Sequence, residues 1–167
     1  MNEDKLIEAF VAVDEWADMV QKEFEITCKK GCSYCCYIPN IITLTEAEYL
    51  VDHEEVPDMS VIKKKIIPEN ALIMQRKQDV FCDIVSPERR KCMYLKNDEC
   101  SVYDSRPLSC RGNLCISKAE LCDTGWPYTP GVVLYVDSMG VTMLSLSLSM
   151  DFGTMAEQIY KVLKNRE

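Results

Sequence analysis

Ten of the 167 residues are cysteine, and they fall into two groups. The first is Cys28-x3-Cys32-x2-Cys35-Cys36; the second is Cys82, Cys92, Cys100, Cys110, Cys115 and Cys122. Thiolates select zinc, iron–sulfur clusters or cuprous copper. Gaps of two or three residues let one tight loop aim several sulfurs at a single centre. The second group is spaced too widely for one loop, so its expected job is to bring the remaining ligands from another part of the fold. A disulfide-rich secreted scaffold is the rival reading. The adjacent Cys35 and Cys36 fit it poorly, and the acidic first 20 residues do not read as a signal peptide.

Other chemistry has little to build on. The lone histidine, His53, sits among Asp52, Glu54 and Glu55, so it reads as a solvated residue, and no Ser-His-Asp or Cys-His arrangement can be drawn without it. Asp79, Asp83, Asp98 and Asp104 are acids near the cysteines, but none stands out. The six glycines form no Gly-rich strand–turn–helix loop for a dinucleotide or S-adenosylmethionine, and there is no P-loop. No catalytic residue is assigned, and whether the chain is an enzyme stays open.

Beyond spacing, a run of blocks is recognisable: Cys28-Lys-Lys-Gly-Cys32-Ser-Tyr-Cys35-Cys36, Leu44-Thr-Glu-Ala-Glu48, Cys92-Met-Tyr-Leu95, Cys100-Ser-Val-Tyr103 and Arg106-Pro-Leu-Ser-Cys110-Arg111. In that order they resemble the YkgJ-like cysteine-cluster family, the CxxCxxCC zinc- or iron-chelating domain. The blocks span about residues 28–111, half the chain. A related cluster is present in bacterial flagellin lysine methylases, where an iron–sulfur centre is implied. By position, the resemblance implies Cys28, Cys32, Cys35, Cys36, Cys92, Cys100 and Cys110 as metal ligands. Cys115 and Cys122 sit at less fixed positions, with Cys115 the nearer eighth ligand, and Cys82 lies outside the pattern. A structural zinc and a [4Fe–4S] cluster each take four ligands. Seven motif cysteines exceed four and fall short of eight, so one centre with spare thiols and two centres both remain open. Four thiolates around zinc carry net negative charge, which a nearby cation offsets. Arg106 and Arg111, flanking Cys110, are the candidates, with Lys29, Lys30 and Lys91 behind them and the Tyr103 ring packing beside the site.

Cys28-x3-Cys32-x2-Cys35 also matches the radical-SAM triad pattern. The partial barrel of those enzymes needs regular strand–helix repeats that the middle of this chain lacks.

The elements that must position these thiols are legible in part. Leu6, Phe10, Val13, Ala17, Val20 and Phe24 recur at helical spacing, so the chain opens with a helix. Thr45-Glu-Ala-Glu48 reads as a capping box for a second helix running to about His53. Ser60 reads as the cap of a third, which Pro68 breaks and which resumes through Leu72–Met74. Val80 to Cys122 is irregular. Val132–Val136 and the alternation Thr142, Leu144, Leu146, Leu148, Met150 predict a hairpin around Asp137–Gly140. Trp126-Pro-Tyr128 reads as a loop packing onto that hairpin. A capping box at Thr154-Met-Ala-Glu157 then predicts a last helix through Ile159 and Val162. The expectation is one α+β domain over residues 1–167, its motif core at 28–122: helices around a cysteine-rich loop region, with a C-terminal β-hairpin and helix.

With 27 acidic against 19 basic residues the net charge is −8, which argues against a nucleic-acid partner or an anionic membrane. No run of apolar residues is long enough to span a bilayer. The expectation is a cytoplasmic protein that binds a metal ion or cluster, zinc or [4Fe–4S], through clustered cysteines. Metal handling, redox sensing or binding of a protein partner would each use it. The alternative is an iron–sulfur enzyme or an accessory subunit of a modification system, lysine-methylase-like or radical-SAM-like.

Overall fold

The structure is a computed structural model that describes residues 3–67, 85–116 and 139–167. Helix α1 (Glu3–Glu23) begins on acidic residues, as the helix dipole favours, and carries Lys22 in its last turn. Its Leu6, Ala9, Phe10, Val13, Ala17 and Val20 are buried along one stripe. A loop then carries the first cysteine group and leads to strand β1 (Ile41–Thr43) and helix α2 (Leu44–His53). Helix α3 (Met59–Lys65) stops short of Pro68. Two single turns, α4 (Pro87–Arg90) and α5 (Leu108–Arg111), flank a hairpin of β2 (Leu95–Lys96) and β3 (Glu99–Cys100). Helix α6 (Met139–Leu148), strand β4 (Phe152–Thr154) and helix α7 (Met155–Asn165) close the chain.

The α+β class is as expected, and helix dominates it. β1 and β4 pair antiparallel, with Ile42 opposite Gly153. Each strand runs straight into a helix through the same device. Thr43 and Thr154 cap α2 and α7, and Glu46 and Glu157 return bonds to the cap backbone. The second of these boxes is the one expected. The first is shifted by two residues from Thr45, because Thr43 is the residue that ends the strand in extended conformation. The third helix likewise starts at Met59 after Asp58, not at a Ser60 cap.

Apolar clusters hold the described elements together, one of them joining Ala17 and Val20 of α1 to Leu114. Ile42, Leu50, Ile62, Tyr94, Met155 and Ile159 join α2, α3 and α7. Leu6, Phe10, Val13, Leu108 and Val141 join α1, α5 and α6.

The expected strand across Thr142–Met150 is instead helix α6. Positions 144 and 148 are four apart, a spacing that satisfies the strand period and the helix period alike. Val141, three residues before Leu144, completes the helical stripe, and all three pack on the α1 cluster. The burial available against α1 decides between the periods. The hairpin's first strand, Val132–Val136, lies outside the described residues, as do Trp126–Tyr128, Leu72–Met74, Cys82 and Cys122.

Within the irregular middle lies a short hairpin that the residue pattern does not predict. Asn97 and Asp98 both have positive φ, 52° and 60°, the two-residue turn that matches strand twist. This turn carries Cys100 back alongside Leu95.

Candidate metal centre

After α1 the backbone turns sharply at Gly31, whose φ of 91° is easily reached only by glycine. The Cys32 amide donates to the Lys29 carbonyl (3.0 Å). A 3-10 turn at Tyr34–Tyr37 follows, closed by Cys36 N–H to Ser33 O at 3.0 Å. These turns are what bring Cys32, Cys35 and Cys36 close to one another.

The second group reaches the first through two seams. At one, the Cys92 amide donates to the Cys36 carbonyl (2.7 Å). At the other, the Cys115 amide donates to Cys28 Sγ (3.1 Å), and the Thr27 amide donates to the Cys115 carbonyl (3.0 Å). β3 supplies Cys100 and α5 supplies Cys110. No disulfide joins any two of the eight expected ligands; Cys115 is fully buried and the others partly so.

The electrostatics show which thiols share a neighbourhood. Cys35 is the hub: its charge raises the pKa of Cys28, Cys36, Cys92, Cys100 and Cys110. Hydrogen bonds from the Cys36 thiol and the Asn113 amide, with the field of Arg106, bring Cys35 itself down to about 7 against the pull of burial. Its bonded partner Cys36 is pushed far up by that bond and by burial. Burial raises Cys28 and Cys92 to about 11, and raises Cys100 and Cys110 as well. Cys110 also senses Cys92 and Cys100, and Cys36 senses Cys92 and Cys110, whereas Cys28 senses Cys115 and Cys32 besides Cys35.

Among the described residues, no three Cys, His, Asp or Glu side chains form a ready-made group for a metal ion. The thiols make a common neighbourhood without a preset coordination sphere. Chemically the set fits a thiolate-bound metal: eight soft donors, no disulfide between them, and a cation at the hub. A second sign is an orphaned donor. Buried Arg106 Nε has no hydrogen-bond partner among the described residues, and neither does Ser109 Oγ, next to Cys110. Negative thiolates would give such donors an acceptor.

The neighbours expected around the site divide. Arg106 stacks on Tyr103 at 3.9 Å, and Lys30 lies over the same ring at 5.4 Å. Arg106 also lowers Cys35 and Cys100 electrostatically. Arg111 is only 6% exposed and serves another purpose. It pairs with Asp14, lies 4.2 Å over the Phe10 ring, and donates to the Arg106 and Asp104 carbonyls. Those contacts bind α5, and with it Cys110, to α1. Lys91 lies 6.0 Å over Tyr37. His53 is bonded to Glu3 and stacked on Tyr49.

Two residues escape sequence reasoning. Asn113 reaches Cys35, and only its place between Cys110 and Cys115 hints at that. Glu46 is 1% exposed and knits the scaffold behind the site. Its Oε2 accepts from the Thr43 amide (2.8 Å) and hydroxyl (2.7 Å) and from Ser145 Oγ (3.1 Å), while Oε1 accepts from the Leu108 amide (2.8 Å). The shifted capping box conceals it. No family model matches this chain, and no curated protein or solved structure is similar to it.

Proposed function

We propose that this chain is a metal-binding protein that holds zinc or an iron–sulfur cluster through its clustered thiolates. The observation that carries the reading is the convergence of two sequence-distant cysteine groups, at the Cys36–Cys92 and Cys28–Cys115 seams. In this reading Cys35, Cys36, Cys92, Cys100 and Cys110 gather around the hub, and Cys28, Cys32 and Cys115 stand at the other seam. The resemblance of residues 28–111 to YkgJ-like cysteine-cluster proteins points the same way. A bound metal would supply either a rigid structural tie or, as a cluster, electron storage. Metal handling, redox sensing or partner binding in the cytoplasm fits such a module, since a reducing compartment keeps thiols available.

One observation favours the alternative of an iron–sulfur enzyme or accessory subunit. A cleft of about 260 Å³, lined by Ile42, Ser109, Asn113, Val141 and Phe152, adjoins the site, because Asn113 also reaches Cys35. A centre with an open coordination position would face bound molecules there.

The test is substitution in protein purified without oxygen. Cys110→Ser and Cys28→Ser are each expected to lower the bound metal, and together to remove nearly all of it. Full metal retention by Cys110→Ser would refute the shared site.

A further inference from the structure

We propose that the basic face formed by the end of α3 and by α4 is a docking site for a short acidic segment of a partner protein. Lys63, Lys64, Lys65, Arg89, Arg90 and Lys91 are six of the chain's 19 basic residues, gathered in a molecule of net charge −8. α3 and α4 are in contact, so the two runs make one surface.

Ten basic residues are described elsewhere, and pairing sets the six apart from at least five of them. Lys96, Arg111, Lys161, Lys164 and Arg166 each pair with a carboxylate. None of the six makes an ion pair with a carboxylate among the described residues. Three bond to backbone carbonyls instead: Arg89 Nε to Ile66 (3.0 Å), Arg90 Nε to Val85 (3.1 Å), and Lys65 Nζ to Glu88. Those bonds fix the side chains and leave further N–H donors on both guanidinium groups, with Glu88 the one carboxylate among the described residues that line the two depressions. Held in place beforehand, the side chains lose less entropy when an anion arrives.

The shape suits a strand of peptide better than a single ion. One depression is lined by Val61, Lys64, Lys65, Ser86, Glu88 and Arg89, three cations to one carboxylate. A second is lined by Lys65, Arg89, Arg90, Lys91, Asn40 and Thr154, and it reaches Cys92. Lys65 and Arg89 line both, so the two form one track. A long polyanion or an anionic membrane would overrun this patch onto the acidic remainder of the molecule. A short acidic segment keeps its charge on the track. Docking there does not depend on what the cysteines bind, although a docked segment would lie beside Cys92.

The experiment uses the full chain and a fluorescein-labelled peptide of about twelve alternating Glu and Gly residues, read by fluorescence anisotropy. A Gln–Gly peptide of equal length and an oligothymidylate of equal charge are the comparisons. Lys63→Glu with Lys64→Glu alters the basic face at side chains that make no hydrogen bond to the described backbone. Lys22→Glu with Lys164→Glu makes the same change in net charge elsewhere. We expect the Glu–Gly peptide to bind, the Gln–Gly peptide not to, and affinity to fall as salt rises. The first pair should weaken binding at least tenfold, the second less than twofold. Circular dichroism and metal content equal to the parent's would separate loss of docking from loss of the fold or the metal site. Equal weakening by both pairs, tighter binding of oligothymidylate, or no peptide binding at low salt would each overturn the proposal.

Discussion

Glu46 shows how much one side chain can hold. Its carboxylate accepts four hydrogen bonds from β1, α5 and α6, in a place almost closed to water. Glu46→Leu leaves the buried Thr43 and Leu108 amides without acceptors, each costing about 1–3 kcal/mol. Urea unfolding should therefore show a loss of at least about 2 kcal/mol, with Glu46→Gln in between. A loss under about 0.5 kcal/mol would show that the Glu46 cluster is not holding these elements together. At this scale the sequence speaks clearly about sulfur and poorly about its neighbours. Cysteine declares its chemistry by type, so all eight candidate ligands are legible and the described fold gathers both groups. Arg111 is legible as a charge beside Cys110 but not as a buried strut, because its partner Asp14 lies 97 residues earlier.

Elements are legible where one period is unambiguous. The stripe of α1 and the capping box of α7 each admit a single reading. α6 does not, since Leu144 and Leu148 suit strand and helix equally, and only the surface of α1 selects the helix. The packing at its start can be tested. A Cβ on Gly112 would meet Val141 Cγ2 at 2.7 Å and Cγ1 at 2.9 Å. Gly112→Ala should cost about 1–3 kcal/mol through overpacking. Adding Val141→Ala should recover part of that cost in a double-mutant cycle; strict additivity would contradict the α5–α6 contact. A second test concerns the tie between α2 and the end of α7. Arg166 donates twice to Asp52, at 2.6 and 3.1 Å, and holds its carboxyl below the ordinary aspartate range. A carboxyl depressed on folding stabilises the fold above its unfolded pKa of about 3.9 and loses that contribution as pH falls through the lower folded value. Urea midpoints of the parent and Asp52→Asn should differ at pH 6 and converge toward pH 2.5. A gap that persists at pH 2.5 would mean the aspartate acts through packing rather than charge.

At the scale of the whole molecule, α1, α2 and α7 form a helical frame around a middle region with little regular structure. Two single turns and one two-residue hairpin carry Cys92, Cys100 and Cys110 there. The stretch is anchored by Tyr94, Val102 and Leu108 in the apolar clusters, by the seams to Cys36 and Cys28, and in our account by bound metal as well. Chelation of the loaded protein should therefore lower its melting temperature, and it should do so through this region more than through the α2–α7 packing. Hydrogen exchange would locate the loss; uniform exposure of all helices would contradict it. No described helix is long and apolar enough to cross a membrane.

The central claim is that the convergent thiols hold metal. The most direct measurement is elemental and sulfide analysis, together with the visible spectrum, of untagged protein purified without oxygen. The account predicts bound metal: either colourless protein with one or two zincs, or brown protein with about four irons and as many sulfides per cluster. Protein free of metal, with its cysteines joined in disulfides, would contradict it.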